Sequence, residues 1–192
     1  NNETQMLASR GYAVLQVNFR GSGNYGKDFQ SKGYKQWGKL MQDDLTDATR
    51  WAIQKGIADP SRICMYGASY GGYASLMAVA KEPTLYRCAV GNVGTYDLPM
   101  QLNYSTNGGG GMNPSKAFFG DVAQADVAEY SPARLASKIH VPVMLMAGEK
   151  DTTCPPEQSK AMYAALQKAG VPVELKIYPG EGHGNALKEN QV

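Results

Sequence analysis

Arg62-Ile-Cys-Met-Tyr66, then Gly67-Ala-Ser-Tyr-Gly-Gly72, then Tyr73 to Lys81: this run reads as a buried strand, a Gly-rich turn and a helix that stops ahead of Pro83. Outward from it, apolar runs of strand length alternate with helix-like segments. Tyr12-Ala-Val-Leu-Gln-Val-Asn-Phe19, Arg87-Cys-Ala-Val90, Val141 to Ala147 and Val173 to Tyr178 read as strands. The segment Asp43 to Lys55 reads as a helix. Asp43 and Asp44 suit its positive N-terminal end, Leu45, Ala48 and Ala52 share one face, and Gly56 is its stop. A further helix runs from about Pro156 to Ala169, closed by Gly170 with Pro172 beyond. This alternation predicts an α/β fold, a mostly parallel sheet flanked by helices. Residues 91–130, with Gly108 to Gly111 inside, read as one irregular insertion, and Ser131-Pro132 as an N-cap followed by Pro at the first helical position.

The chain has 192 residues, 43% of them hydrophobic, enough for one domain over residues 1–192. A formal net charge of +2 without a basic run argues against nucleic acid and anionic membranes as partners. No apolar stretch is long enough to span a bilayer. The first residues look like the interior of a longer chain, so localisation stays open between cytoplasm and periplasm. Two histidines and no Cys-x-x-Cys spacing argue against a zinc site, and neither a metal nor another cofactor is expected. Three cysteines make no closed disulfide framework. Cys64 and Cys88 read as buried strand residues. Their strands should be neighbours, so a bridge between them is conceivable in an exported protein.

Gly67-Ala-Ser-Tyr-Gly71 fits the G-x-S-x-G nucleophile elbow. In that turn the serine takes strained dihedrals and its hydroxyl stands clear of the backbone. The positions two before and two after it come close together, which suits Gly67 and Gly71, while Gly72 lets the helix pack closely. A hydroxyl nucleophile needs an adjacent base. His183, in the Gly-flanked loop after the last strand, is the candidate; His140 sits at the start of a strand, at the wrong end of a parallel sheet. The acid should follow a strand and lie between serine and histidine in the chain. Asp151 does so, with Glu149 and Asp97 as weaker candidates. The backbone N–H of Tyr70 is the expected oxyanion donor, and no loop of the chain offers an evident second one.

These residues resemble the prolyl oligopeptidase family of serine peptidases. The resemblance rests on Asn18-Phe-Arg-Gly-Ser-Gly23, Gln42-Asp-Asp-Leu45, Gly67-Ala-Ser-Tyr-Gly-Gly-Tyr73, Gly148 to Asp151 and Gly182-His-Gly184. Within the family the chain looks most like bacterial dipeptidyl aminopeptidase and acylaminoacyl peptidase relatives. The resemblance implies an α/β-hydrolase fold behind a substrate-filtering β-propeller. Against that pattern the chain lacks the propeller, the first hydrolase strands and the final helix, and reads as truncated at both ends. The strand that should lie between Tyr12–Phe19 and Arg62–Tyr66 is among the missing ones, which would leave their inward edges open.

The expected activity is cleavage of short peptides through an acyl-enzyme on Ser69. Alternatives are a carboxylesterase using the same triad and an inactive fragment. Tyr96 and Tyr104, after the Val90 strand, are candidates for the substrate pocket. Homo-oligomerisation of the parent protein is left open.

Overall fold

The computed structural model describes residues 2–106 and 127–184. Its centre is a four-stranded sheet in the order β1 (Cys64–Ala68), β2 (Cys88–Asn92), β3 (Val143–Gly148) and β4 (Val173–Tyr178), with every neighbouring pair parallel. The helices are α1 (Asn2–Ser9), α2 (Lys27–Ser31), α3 (Leu40–Gln54), α4 (Tyr70–Lys81), α5 (Leu98–Thr106) and α6 (Pro156–Lys168). Because the strands are parallel, their C-terminal ends lie together, and each is followed by a loop at that edge.

One face of the sheet carries the main core. Leu76, Val79 and Ala80 of α4 and Met162 and Leu166 of α6 pack on Ala89, Val143 and Leu145. Helix α4 is buried from Gly72 to Ala80, all the way round, because the sheet lies on one side and α3 on the other. Helix α6 buries only a stripe, with Met162 and Leu166 one turn apart. Pro156 and Glu157 open it, and Gly170 follows it at φ +73°. Burying two such side chains completely contributes roughly 2–3 kcal/mol each. A second cluster, Trp37, Met41, Leu45, Tyr73, Met77 and Leu98, joins α3 to α4.

The strand expected at residues 12–19 is not formed among the described residues. A strand exists only through its ladder, and β1 has a described partner on one side only, β2. Tyr12 and Leu15 are accordingly 63% and 51% exposed, while Val17 and Phe19 turn onto the second cluster. Arg20 then anchors the segment. Its guanidinium meets the Asp44 carboxylate with both Nε and Nη2, at 2.8 and 2.7 Å, and its own N–H donates to Asp44 Oδ2 at 2.8 Å. That pairing holds the Asp44 carboxyl below the usual range.

Residues 98–106, expected to be irregular, form helix α5. The Asp97 carboxylate accepts the Met100 N–H at its start, and the distant Ser131 hydroxyl accepts the Leu98 N–H. Ser131 is therefore engaged elsewhere than as the N-cap of its own segment, where Pro132–Arg134 makes a single 3-10 turn. The stretch Gly108 to Gly111 lies outside the described residues.

Cys64 and Cys88 face each other in the β1–β2 register and are joined as a disulfide. Cys64 is exposed and Cys88 half-buried, which corrects the reading of both as buried strand residues: the sheet face they occupy is the one α4 and α6 leave open. The bridge closes a loop of 24 residues that contains Ser69 and all of α4. Constraining a loop of that length stabilises a fold by about 3 kcal/mol. Thiol counting under denaturing, non-reducing conditions is expected to find one free thiol, Cys154, and three after reduction. Chemical denaturation with and without reductant should show the loss. Three thiols without reductant would exclude the bridge.

Candidate active site

Ser69 sits between β1 and α4 at φ +57° and ψ −120°, a conformation L residues rarely hold. Neighbouring backbone over-determines it. The Ser69 N–H donates to Asn92 O at 2.9 Å, and Ser69 O accepts the Tyr73 N–H at 3.2 Å. A Cβ at Gly67 would lie 2.5 Å from the backbone carbonyl of Gly71, so the turn closes only over a glycine there. At Gly71 itself a Cβ meets nothing within 4 Å, because it is the Gly71 backbone that faces Gly67. At Gly72 a Cβ would lie 2.9 Å from Asn92 O and 3.0 Å from Gly94 Cα, so α4 approaches the end of β2 through its bare backbone.

Loops after β3 and β4 bring two further side chains to the same place. His183 Nε2 lies 2.9 Å from Ser69 Oγ, and His183 Nδ1 lies 2.8 Å from Asp151 Oδ2. The Asp151 side chain is 0% exposed and that of His183 28%. The second oxygen of Asp151, Oδ1, accepts two backbone N–H bonds, from Thr153 and Cys154, each at 2.8 Å. The carboxylate is thus bonded through both oxygens and fixed in direction. Sequence reading had no means of finding these two donors, because a backbone amide carries no residue-type signal.

Tyr70 opens α4, so its N–H is one of the helix's unpaired donors at the positive end of the dipole. Its ring lies within an aromatic cluster, 5.0 Å from Phe19, 4.6 Å from Trp37 and 5.7 Å from Tyr73 between centroids. Burial pushes its phenol well above the ordinary value. The Arg20–Asp44 pair ties α3 to the segment that carries Phe19, and the Gln42 amide, which donates to Ala74 O at 3.2 Å, ties α3 to α4.

A sequence profile described as the prolyl oligopeptidase family matches residues 1–192. The chain belongs to the prolyl oligopeptidase family. It is 35% identical to dipeptidyl aminopeptidase BIII of Pseudoxanthomonas mexicana over 97% of its own length and 28% of that protein's. Among solved structures, the uncomplexed acylaminoacyl peptidase of Pyrococcus horikoshii superposes with a TM-score of 0.87 at 27% identity, over 98% of this chain and 31% of that one. A puromycin-hydrolyzing peptidase of Mycobacterium tuberculosis gives 0.85 at 30% identity, over 95% and 28%. The α/β-hydrolase architecture is therefore that of this prolyl oligopeptidase family member, and the chain spans under a third of the length of these relatives.

The other candidates from the sequence fall elsewhere. Tyr96 is 0% exposed and packs inside the main core, where Gly91 and Gly94 leave room for its ring and hydroxyl. A residue with no accessible surface cannot line a substrate pocket, so that expectation is corrected. Its backbone N–H and that of Asp97 both donate to Gln158 Oε1, which explains the burial: the chain is tied down here onto α6. Tyr104 lies half-buried on α5. Asp97 pairs with Arg134 at 3.1 Å and starts α5. His140 lies ahead of β3, at the end of the sheet remote from Ser69. The Glu149 carboxylate accepts the Gly180 N–H, and it is Asp151 that bonds His183 Nδ1.

Proposed function

We propose that the protein is a serine peptidase that cleaves short peptides, in the manner of dipeptidyl or acylaminoacyl peptidases, through an acyl-enzyme on Ser69. The observation that carries this reading is the unbroken hydrogen-bond line from Asp151 through His183 to Ser69. Donating from Nδ1–H to the Asp151 carboxylate, His183 presents a lone pair on Nε2 to the Ser69 hydroxyl. Ser69 Oγ bonds to the substrate carbonyl carbon as its proton passes to His183 Nε2. The resulting oxyanion is stabilised by the Tyr70 N–H and the α4 dipole. The C–N bond breaks, and the leaving amine takes the proton from His183. Water, deprotonated by the same imidazole, bonds to the acyl carbon; the bond to Ser69 Oγ then breaks, Oγ takes the proton back from His183 Nε2, and the acid leaves.

Cys154 does not compete as the nucleophile. Burial, against the Thr95 hydroxyl, pushes its thiol up to about 11, so it is protonated at neutral pH. Tyr104 is the remaining candidate for a wall of the pocket that receives the side chain ahead of the scissile bond. Support for a peptide substrate comes from the names of the three relatives described above, each a peptidase.

The test is labelling with a fluorophosphonate, followed by mapping of the adduct and assay on aminoacyl-p-nitroanilides and p-nitrophenyl esters. The expected result is an adduct on Ser69 that blocks anilide hydrolysis. Ester turnover with no anilide turnover would make the protein an esterase with the same triad, and an adduct elsewhere would overturn the assignment of the nucleophile.

A further inference from the structure

The loop bearing His183 is fastened to the loop bearing Asp151 by contacts that neither residue makes itself. Beyond the end of the β3–β4 ladder, the Glu149 N–H donates to Tyr178 O at 3.0 Å and the Lys150 N–H to Glu181 O at 2.7 Å. Gly148 makes the approach close: a Cβ there would collide with the carbonyl oxygens of Gly182 and Glu181. One fastening comes from a side chain. The Gly180 N–H donates to Glu149 Oε2 at 2.9 Å, at the turn where the chain leaves β4 for His183 and where Gly180 sits at φ +73°. Left-handed glycine turns have little intrinsic rigidity, so a side-chain acceptor on the turn amide restrains the segment that leads into His183.

We propose that Glu149 is a positioning residue, whose carboxylate clasps the Gly180 turn and thereby holds His183 in line between Asp151 and Ser69. The proposal rests on the serine-hydrolase reading above. It also separates Glu149 from the role of catalytic acid, and the two roles make opposite demands. An acid needs the negative charge, whereas a clasp needs only an acceptor oxygen, which glutamine keeps.

Glu149 is exposed, so its variants are expected to fold. The measurement is the saturating rate and half-saturation concentration of fluorophosphonate labelling in Glu149→Ala and Glu149→Gln, with hydrogen exchange at the Gly180 amide alongside. In Glu149→Ala the saturating rate should fall about fivefold, the rate equivalent of one ordinary hydrogen bond. Half-saturation should stay unchanged and the Gly180 amide should exchange faster. Glu149→Gln should restore both the rate and the protection. Equal losses in the two variants would make the charge the cause and overturn the clasp, as would an unchanged rate in Glu149→Ala. An unlabelled Ser69 in the unsubstituted protein would overturn the serine-hydrolase reading and this proposal with it. A labelled Ser69 whose rate ignores Glu149 would overturn the proposal alone.

Discussion

Ser69→Ala is expected to lower turnover on the order of a millionfold while leaving the fold unchanged. On the proposed serine-hydrolase reading, the size of the effect follows from the three residues acting as a unit. Without the hydroxyl, His183 has no proton to accept from a nucleophile, and only the Tyr70 N–H and substrate binding remain to assist a water. The fold should survive because the elbow is held by its backbone, through the Ser69 N–H bond to Asn92 O and the closure of Gly67 on Gly71, neither of which involves the side chain. Activity of the purified variant on a chromogenic substrate, with a thermal melt alongside, checks both halves. A folded variant retaining more than about a hundredth of the activity would remove Ser69 as the nucleophile.

Asp151→Asn is expected to cost about 10⁴-fold in kcat with the geometry intact. The surroundings of Asp151 dictate how asparagine would sit. Thr153 and Cys154 both donate to Oδ1, so the amide carbonyl takes that position and the NH₂ group faces His183. His183 Nδ1 must then accept, which moves the ring proton to Nε2, opposite the Ser69 hydroxyl. In that tautomer the imidazole cannot take the serine proton, while every heavy atom stays where it was. The expected signature is therefore a loss in kcat with KM and thermal stability little changed. Activity within tenfold of the unsubstituted protein would show that Asp151 does not set the tautomer, and a large loss of stability would show that its role is to hold the loop.

How far the molecule was legible depended on the range of the interactions behind each feature. Helices α3, α4 and α6 were readable because their signals are local: an acidic first turn in α3 and α6, and a Gly or Pro shortly after all three. Strand β4 falls on the residues that its composition marks, and β1 starts and ends two residues later than expected, because its ladder with β2 runs on through Gly67 and Ala68. Helix α5 was missed because one of its starting bonds comes from Ser131, more than thirty residues away. The segment 12–19 has strand composition, yet whether it pairs is decided by what lies beside β1 and not by its own residues.

By itself the sequence determined the parallel α/β architecture and the three residues Ser69, Asp151 and His183 as candidates, since each is marked by its own neighbours: small residues around the serine, a strand end before the acid, glycines around the histidine. Only the tertiary structure decided which side chains meet, at 2.9 and 2.8 Å. It also sent Tyr96 into the core and Glu149 to the Gly180 turn, joined Cys64 to Cys88, and placed two anonymous amides on Asp151. The physical reason is the same in each case. Burial and backbone hydrogen bonding depend on what the rest of the chain brings alongside a residue, and a residue's identity and near neighbours carry no record of that.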